Sequence, residues 1–164
     1  TIINPNQVLD FLNLTRLDVV QDLPIQAVSS GLPFIIVPLK NLDAVRRAKI
    51  LSEKYQTFIR DSQAKAILVY CQETYDNQND LNVRMFAPHY GVSEDPATGS
   101  GNGCLASYLI NHDVFRKDSL DIRVEQGYEI GRKSLIYLKS QVISNKDQVL
   151  IGGSVVMVAK GELI

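Results

Sequence analysis

Apolar and polar positions change rhythm several times along this chain, and each rhythm predicts an element. "NPNQVLDFLN" opens with Asn4 as a helix cap, Pro5 at the first helical position and Gln7 where a capping box takes Glu or Gln, so a helix is predicted to about Asn13. "PIQAVSS" (24–30) and "LPFIIVPL" (32–39) are β-branched and apolar and break at Gly31, which predicts two strands. "NLDAVRRAKILSEKYQTF" places Leu42, Val45, Ala48 and Leu51 at helical spacing. "AKAILVYCQ" reads as a buried strand, "TYDNQND" as a polar turn, and "LNVRMFAP" as an alternating strand ending at Pro88. After residue 112, "LDIRVEQG", "KSLIYLKSQVI" and "GSVVMVAKGEL" all alternate with period two. Strands dominate and no regular strand–helix–strand alternation appears, which predicts an α+β domain with a mixed or antiparallel sheet.

Length and charge narrow the classes. A chain of 164 residues suffices for one cored domain or two small lobes. The net charge is −1, and adjacent basic residues such as Arg46-Arg47 and Arg132-Lys133 form no stripe, so nucleic acid is not expected as a partner. Cys71 and Cys104 stand 33 residues apart in apolar surroundings. That is neither a disulfide framework nor a metal-ligand spacing; buried thiols in a reducing cytoplasm account for it, and no metal is expected. No apolar run approaches a membrane span, and no signal peptide is visible. The chain begins with Thr1 rather than Met, so further residues are expected ahead of it.

The stretch that carries chemistry is "EDPATGSGNGCLASYL" (94–109). Apolar residues recur at Cys104-Leu105 and Tyr108-Leu109, so a helix is predicted over about 97–112. Gly99, Gly101 and Gly103 alternate at its start. They allow close packing against a curved sheet. They also bare the unpaired N–H groups of a helix N-terminus to an anion. No lysine follows as a phosphate loop requires, and G-x-G-x-G is not the dinucleotide fingerprint; two acids stand just ahead. A small carboxylate beside a proton-handling acid fits better than a nucleotide. Glu94 and Asp95 point apart as neighbours. Asp95, held extended before Pro96, is the better candidate to face the helix, and Glu94 is expected to be solvated or ion-paired.

"RMFAPHYGVSEDPATGSGNGCLASYL" resembles the signature of the PhzF-like family of phenazine-biosynthesis isomerases and their relatives. "PIQAVSSGLPFIIVPL", "VEQGYEIGRKSLIYL" and "VLIGGSVVMVAKGEL" extend the resemblance over nearly the whole chain. It implies a fold like diaminopimelate epimerase: two lobes, each a barrel-like sheet around one central helix, with the active site in the cleft at the two helix N-termini. The implied chemistry is cofactor-free proton transfer on a small carboxylic acid. A glutamate acts as general acid/base, with a histidine, an aspartate and a serine assisting. The aspartate and serine match Asp95 and Ser100. The substrate carboxylate would lie on the N–H groups of Gly99 and Ser100, with Thr98 completing the binding set.

The family's glutamate and histidine belong to the other lobe, so residues 1–164 are expected to be a single C-terminal lobe, partnered by an N-terminal lobe or a second copy, as a cytoplasmic homodimer. His89 is read as a loop residue ahead of the motif, and His112 as the end of the central helix. Cys104 is not the catalytic thiol of the related epimerases, whose position falls near Thr98; it is expected in the core. An alternative is a catalytically incomplete carboxylate-binding or assembly module, since the general acid/base is missing. A phosphate or nucleotide site is the third. "GGSVVMVAK" would be an apolar edge if nothing covered it.

Overall fold

Asn4 caps the first helix, α1 (Pro5–Leu12), in the computed structural model, which describes residues 1–143 and 146–162. Its Oδ1 accepts from the Asn6 N–H at 3.0 Å, two residues on rather than three, and no capping box with Gln7 forms. Asn13 ends the helix with φ 57°. β1 (Gln26–Ser29) and β2 (Pro33–Pro38) pair antiparallel across Gly31, whose φ of +135° suits glycine alone.

The stretch from Asn41 does not run as one helix. It splits into α2 (Leu42–Arg47) and α3 (Ser52–Ile59). Between them, the Lys49 and Leu51 N–H groups donate to the carbonyls of Leu12 and Phe11 at the end of α1. These two tertiary bonds satisfy the end of α1 as well as the linking residues, which one more helical turn would not do.

β3 (Ala66–Cys71), β4 (Leu81–Ala87), β5 (Val92–Asp95), helix α4 (Gly99–Asn111), β6 (Ser119–Gln126), β7 (Ser134–Ile143) and β8 (Lys146–Gly153) complete the order. The sheet runs β1-β2-β3-β4-β6-β7-β8, with β5 beside β4. β2/β3 and β4/β6 are parallel and the other pairs antiparallel. It curls around α4, which packs against β1, β2, β6, β7 and β8. This mixed sheet around a central helix is the diaminopimelate epimerase-like lobe that the resemblance implies.

Two cores flank the sheet. Phe34, Ile36, Leu68 and Tyr70 face α4; their neighbours Ile35, Val37, Ile67 and Val69 face α1–α3. Covering both faces explains why these strands read as unbroken apolar runs. β4 differs from its alternating pattern for the same reason: all seven residues are buried, Asn82 and Arg84 among them.

The last strand lies earlier than its pattern predicts. β8 ends at Gly153, opposite Ile136, and β7 begins only at Ser134. The pairing stops there although β7 runs on to Leu135 and Ser134, Ser154 to Lys160 take no regular structure, and Val155, Val156, Met157 and Val158 are each more than 80% exposed. Leu163 of the expected strand lies outside the described residues.

Candidate active site at the start of helix α4

β5 delivers two adjacent carboxylates to opposite destinations. Glu94 turns back onto Arg84: Nε to Oε1 is 3.0 Å and Nη2 to Oε2 is 2.8 Å. Arg84 Nη1 also donates to the carbonyls of Val45 (2.9 Å), Ala48 (2.7 Å) and Arg46 (3.2 Å). This ion pair therefore ties β5 to the C-terminus of α2, where a cation is favoured. Asp95 turns the other way, toward α4. Its Oδ2 accepts from the Thr98 hydroxyl at 2.7 Å, and its Oδ1 lies 3.4 Å from the Ala97 N–H.

Thr98 occupies the N-cap position of α4, yet its side chain makes no cap bond. Its hydroxyl goes to Asp95, and it presents its methyl to the first turn: a Cβ built on Gly101 would sit 3.1 Å from Thr98 Cγ2. No acidic residue stands in that first turn, and the N–H groups of Gly99 and Ser100 have no protein acceptor among the described residues. Both residues are exposed.

The three glycines therefore differ. Gly101 is a packing glycine, since its added Cβ would press on Leu68 Cδ1 at 3.1 Å and Phe34 Cε1 at 3.2 Å. Gly99 is open, with Ile151 Cγ2 at 4.0 Å the nearest atom to its added Cβ. It borders a groove of about 390 Å³ lined by Ala97, Lys133, Ser134, Ile136, Ile151 and the Gly152-Gly153 backbone, among others. Lys133 Nζ rests 5.0 Å over the Tyr128 ring, which stacks on Tyr75 at 4.8 Å. A larger cavity of about 700 Å³ lies between α1 and α3, on the other side of the sheet from α4.

The residue that organises this corner is Gln126, fully buried at the end of β6. Its Nε2 donates to the Asp95 carbonyl (2.7 Å) and to Thr98 Oγ1 (2.9 Å). Its Oε1 accepts from Asn102 Nδ2 (2.9 Å) and the Thr98 N–H (3.3 Å). Glu125 beside it is also fully buried, accepting from the Tyr75 and Asp76 N–H groups and from Asn79 and Asn82. Sequence reasoning assigned neither residue a role. The available signal was two long polar side chains in succession closing an apolar strand.

The remaining candidates lie elsewhere. His89 is exposed in the turn Pro88–Tyr90, its ring edge-on to Tyr90 at 5.0 Å. His112 caps the far end of α4, with Nε2 2.6 Å from Gln26 Oε1, and burial lowers its imidazole below the usual histidine range. Cys104 is fully buried in the core around α4, with Sγ 3.5 Å from Ser30 Oγ. Among the described residues, no group of three His, Cys, Asp or Glu side chains is arranged to hold a metal ion. No helix among them is long and apolar enough to cross a membrane.

The chain matches the family model of phenazine biosynthesis-like proteins (PhzC-PhzF) over residues 2–161. It is similar to an uncharacterized isomerase of Clostridium acetobutylicum, 29% identical over 96% of this chain and 53% of that protein. It is 38% identical to the trans-2,3-dihydro-3-hydroxyanthranilate isomerase of Pseudomonas fluorescens over 49% of this chain and 29% of that one. The crystal structure of a PhzF-family phenazine biosynthesis protein of Bacillus anthracis superimposes with a TM-score of 0.80 and 29% identity, over 90% of this chain and 51% of that one. The chain spans about half the length of the curated relatives it matches.

Proposed function

The chain belongs to the phenazine biosynthesis-like protein family, and on that premise we propose that it supplies half of a cofactor-independent isomerase acting on a small carboxylic acid. The substrate carboxylate is held by the Gly99 and Ser100 N–H groups, and Asp95 and Ser100 assist proton transfer. A second lobe faces this one across the cleft and brings the general acid/base. It is the N-terminal lobe of the same protein or a second copy, in a cytoplasmic homodimer.

One observation carries the reading. The Thr98 hydroxyl is spent on Asp95, so a helix of 13 residues begins uncapped, beside a carboxylate and an open groove. An uncapped N-terminus favours an anion through its free N–H groups and its dipole. The apolar wall of Ile136 and Ile151 suits the carbon body of such an acid, and Lys133 adds a positive charge to the rim.

The test is solvent-deuterium incorporation by the protein that carries this chain, using trans-2,3-dihydro-3-hydroxyanthranilate and other small cyclic acids. Asp95→Asn and Ser100→Ala are expected to slow exchange about 100-fold or more while the fold persists, the range of a general acid–base contribution. Unchanged exchange in both variants refutes the reading. A second reading, a carboxylate-binding or assembly module, is favoured by the exposed Val155–Val158 run, which suits a covering partner. Carboxylate binding or self-pairing with no exchange would select it.

A further inference from the structure

We infer that Gln126 is a positioning residue that keeps the Thr98 hydroxyl off its own helix, and so keeps the entrance of α4 open to an anion. Threonine at an N-cap ordinarily accepts from the second or third helical N–H, here Ser100 or Gly101. In this structure it does not, and Thr98 turns its methyl to Gly101 instead. Gln126 enforces that rotamer. Its Nε2 donates a hydrogen bond to Thr98 Oγ1 at 2.9 Å, so the hydroxyl accepts from Gln126 while it donates to Asp95 Oδ2 at 2.7 Å. The glutamine cannot swing away. The two ends of its amide are bonded to the Asp95 carbonyl, the Thr98 N–H and Asn102, and the side chain has no solvent exposure. A buried amide with each donor and acceptor engaged is rigid, because an unmade bond there is expensive.

The consequence is specific. Without Gln126, only the bond to Asp95 holds the Thr98 hydroxyl, and an oxygen that donates there is left free to accept from the first-turn N–H groups, in competition with any anion. Removing that hydroxyl as well removes the competitor. Loss of a purely structural tie behaves oppositely, since a second lesion in the same corner only adds damage. The ligand arm of the test rests on the carboxylate reading above; the exchange arm does not.

The experiment uses the protein carrying this chain, titrated with sodium benzoate and followed by backbone-amide NMR and hydrogen exchange. Benzoate is expected to shift the Gly99 and Ser100 amides. Gln126→Leu weakens benzoate about fivefold and slows exchange at Ser100 or Gly101 by a similar factor, the worth of one threonine cap. Gln126→Leu combined with Thr98→Val restores both, and Thr98→Val alone leaves exchange as in the wild type. The inference is overturned if Gln126→Leu alters neither readout, if the double variant binds more weakly than the single one, or if Thr98→Val alone speeds exchange at Gly101. Should benzoate shift nothing in the wild type, the carboxylate reading fails and the exchange comparison still decides. Should Gln126→Leu not fold, Thr98→Val decides: unchanged exchange supports an uncapped helix and faster exchange refutes it.

Discussion

Gly127 lies against Pro96: a Cβ on Gly127 would stand 2.9 Å from both the Cα and the carbonyl oxygen of Pro96, and would collide with the Arg132 carbonyl oxygen. Its φ of +78° is also one that side chains resist. The glycine after Gln126 thus lets β6 reach the loop that follows Asp95. Gly127→Ala is expected to lose about 2 kcal/mol or more from backbone strain alone. That lowers the thermal midpoint by about 5 °C in a protein of this size. Because the clash falls on Pro96, the Asp95 and Thr98 amide resonances shift as well. An unchanged melting temperature would show that the loop has room to move.

Glu94 and Asp95 are adjacent but predict opposite phenotypes. Glu94 forms a two-pronged ion pair with Arg84, and each side chain is 9% exposed. Removing the Glu94 charge leaves the buried Arg84 guanidinium with only the more distant Glu129 carboxylate, at 4.0 Å, as a counter-charge, so Glu94→Gln is expected to destabilise the fold by about 2 kcal/mol. Its exchange rate per folded molecule stays near wild type. Asp95→Asn keeps an acceptor for the Thr98 hydroxyl, holds stability within about 1 kcal/mol, and loses exchange. Denaturant midpoints and deuterium incorporation, measured on both variants, separate the roles; a shared phenotype would dissolve the distinction.

What could be read from the sequence divides along local and non-local lines. Helix α4, the hairpin at Gly31 and the divergence of Glu94 from Asp95 follow from residue spacing and from neighbours, and the structure has them. The split at Ala48–Leu51 was hidden, because its cause is a pair of carbonyls at Phe11 and Leu12. The place of β8 was hidden too. "KDQVLIGG" and "GSVVMVAKGEL" are both plausible strands, and the pairing register with β7 chooses the first. At the site, Thr98 was visible as part of a motif, but the commitment of its hydroxyl was not. That depends on Gln126, which lies 31 residues from Asp95 and meets it only through the curl of the sheet.

The two thiols are expected to be inert. Cys71 is fully buried, and burial pushes its thiol up to about 12, with the sulfur donating to the Glu73 carbonyl at 3.2 Å. Since the thiolate is the reactive form, neither Cys71 nor the equally buried Cys104 is expected to react with a disulfide reagent at about pH 8 until the chain opens. Both titrate in denaturant. Rapid labelling of one thiol in the native protein would mean that its core opens far more easily than this packing allows.

His112 gives the fold a pH dependence of defined sign. Burial lowers its imidazole, which sits 4.5 Å from the Tyr108 ring and bonds Gln26 on β1. The charged groups lining the same cavity are Asp22 and Asp113, which favour the imidazolium, and Lys40 and Arg116, which oppose it. The helix C-terminus also favours it. Desolvation outweighs these attractions, so the unfolded chain, where histidine titrates near 6.5, binds the proton more readily than the folded one. The stabilisation is therefore full above that pH and is lost as pH falls toward the lowered folded value. Chemical denaturation at about pH 8 and about pH 5.5 is expected to show a larger drop in stability for the wild type than for His112→Gln, which keeps a partner for Gln26 without titrating. His89 is exposed and present in both proteins, so it cancels in the comparison. Equal drops would mean that the folded protein accommodates the His112 proton as easily as water does, and that the far end of α4 is more open than its packing against Tyr108 indicates.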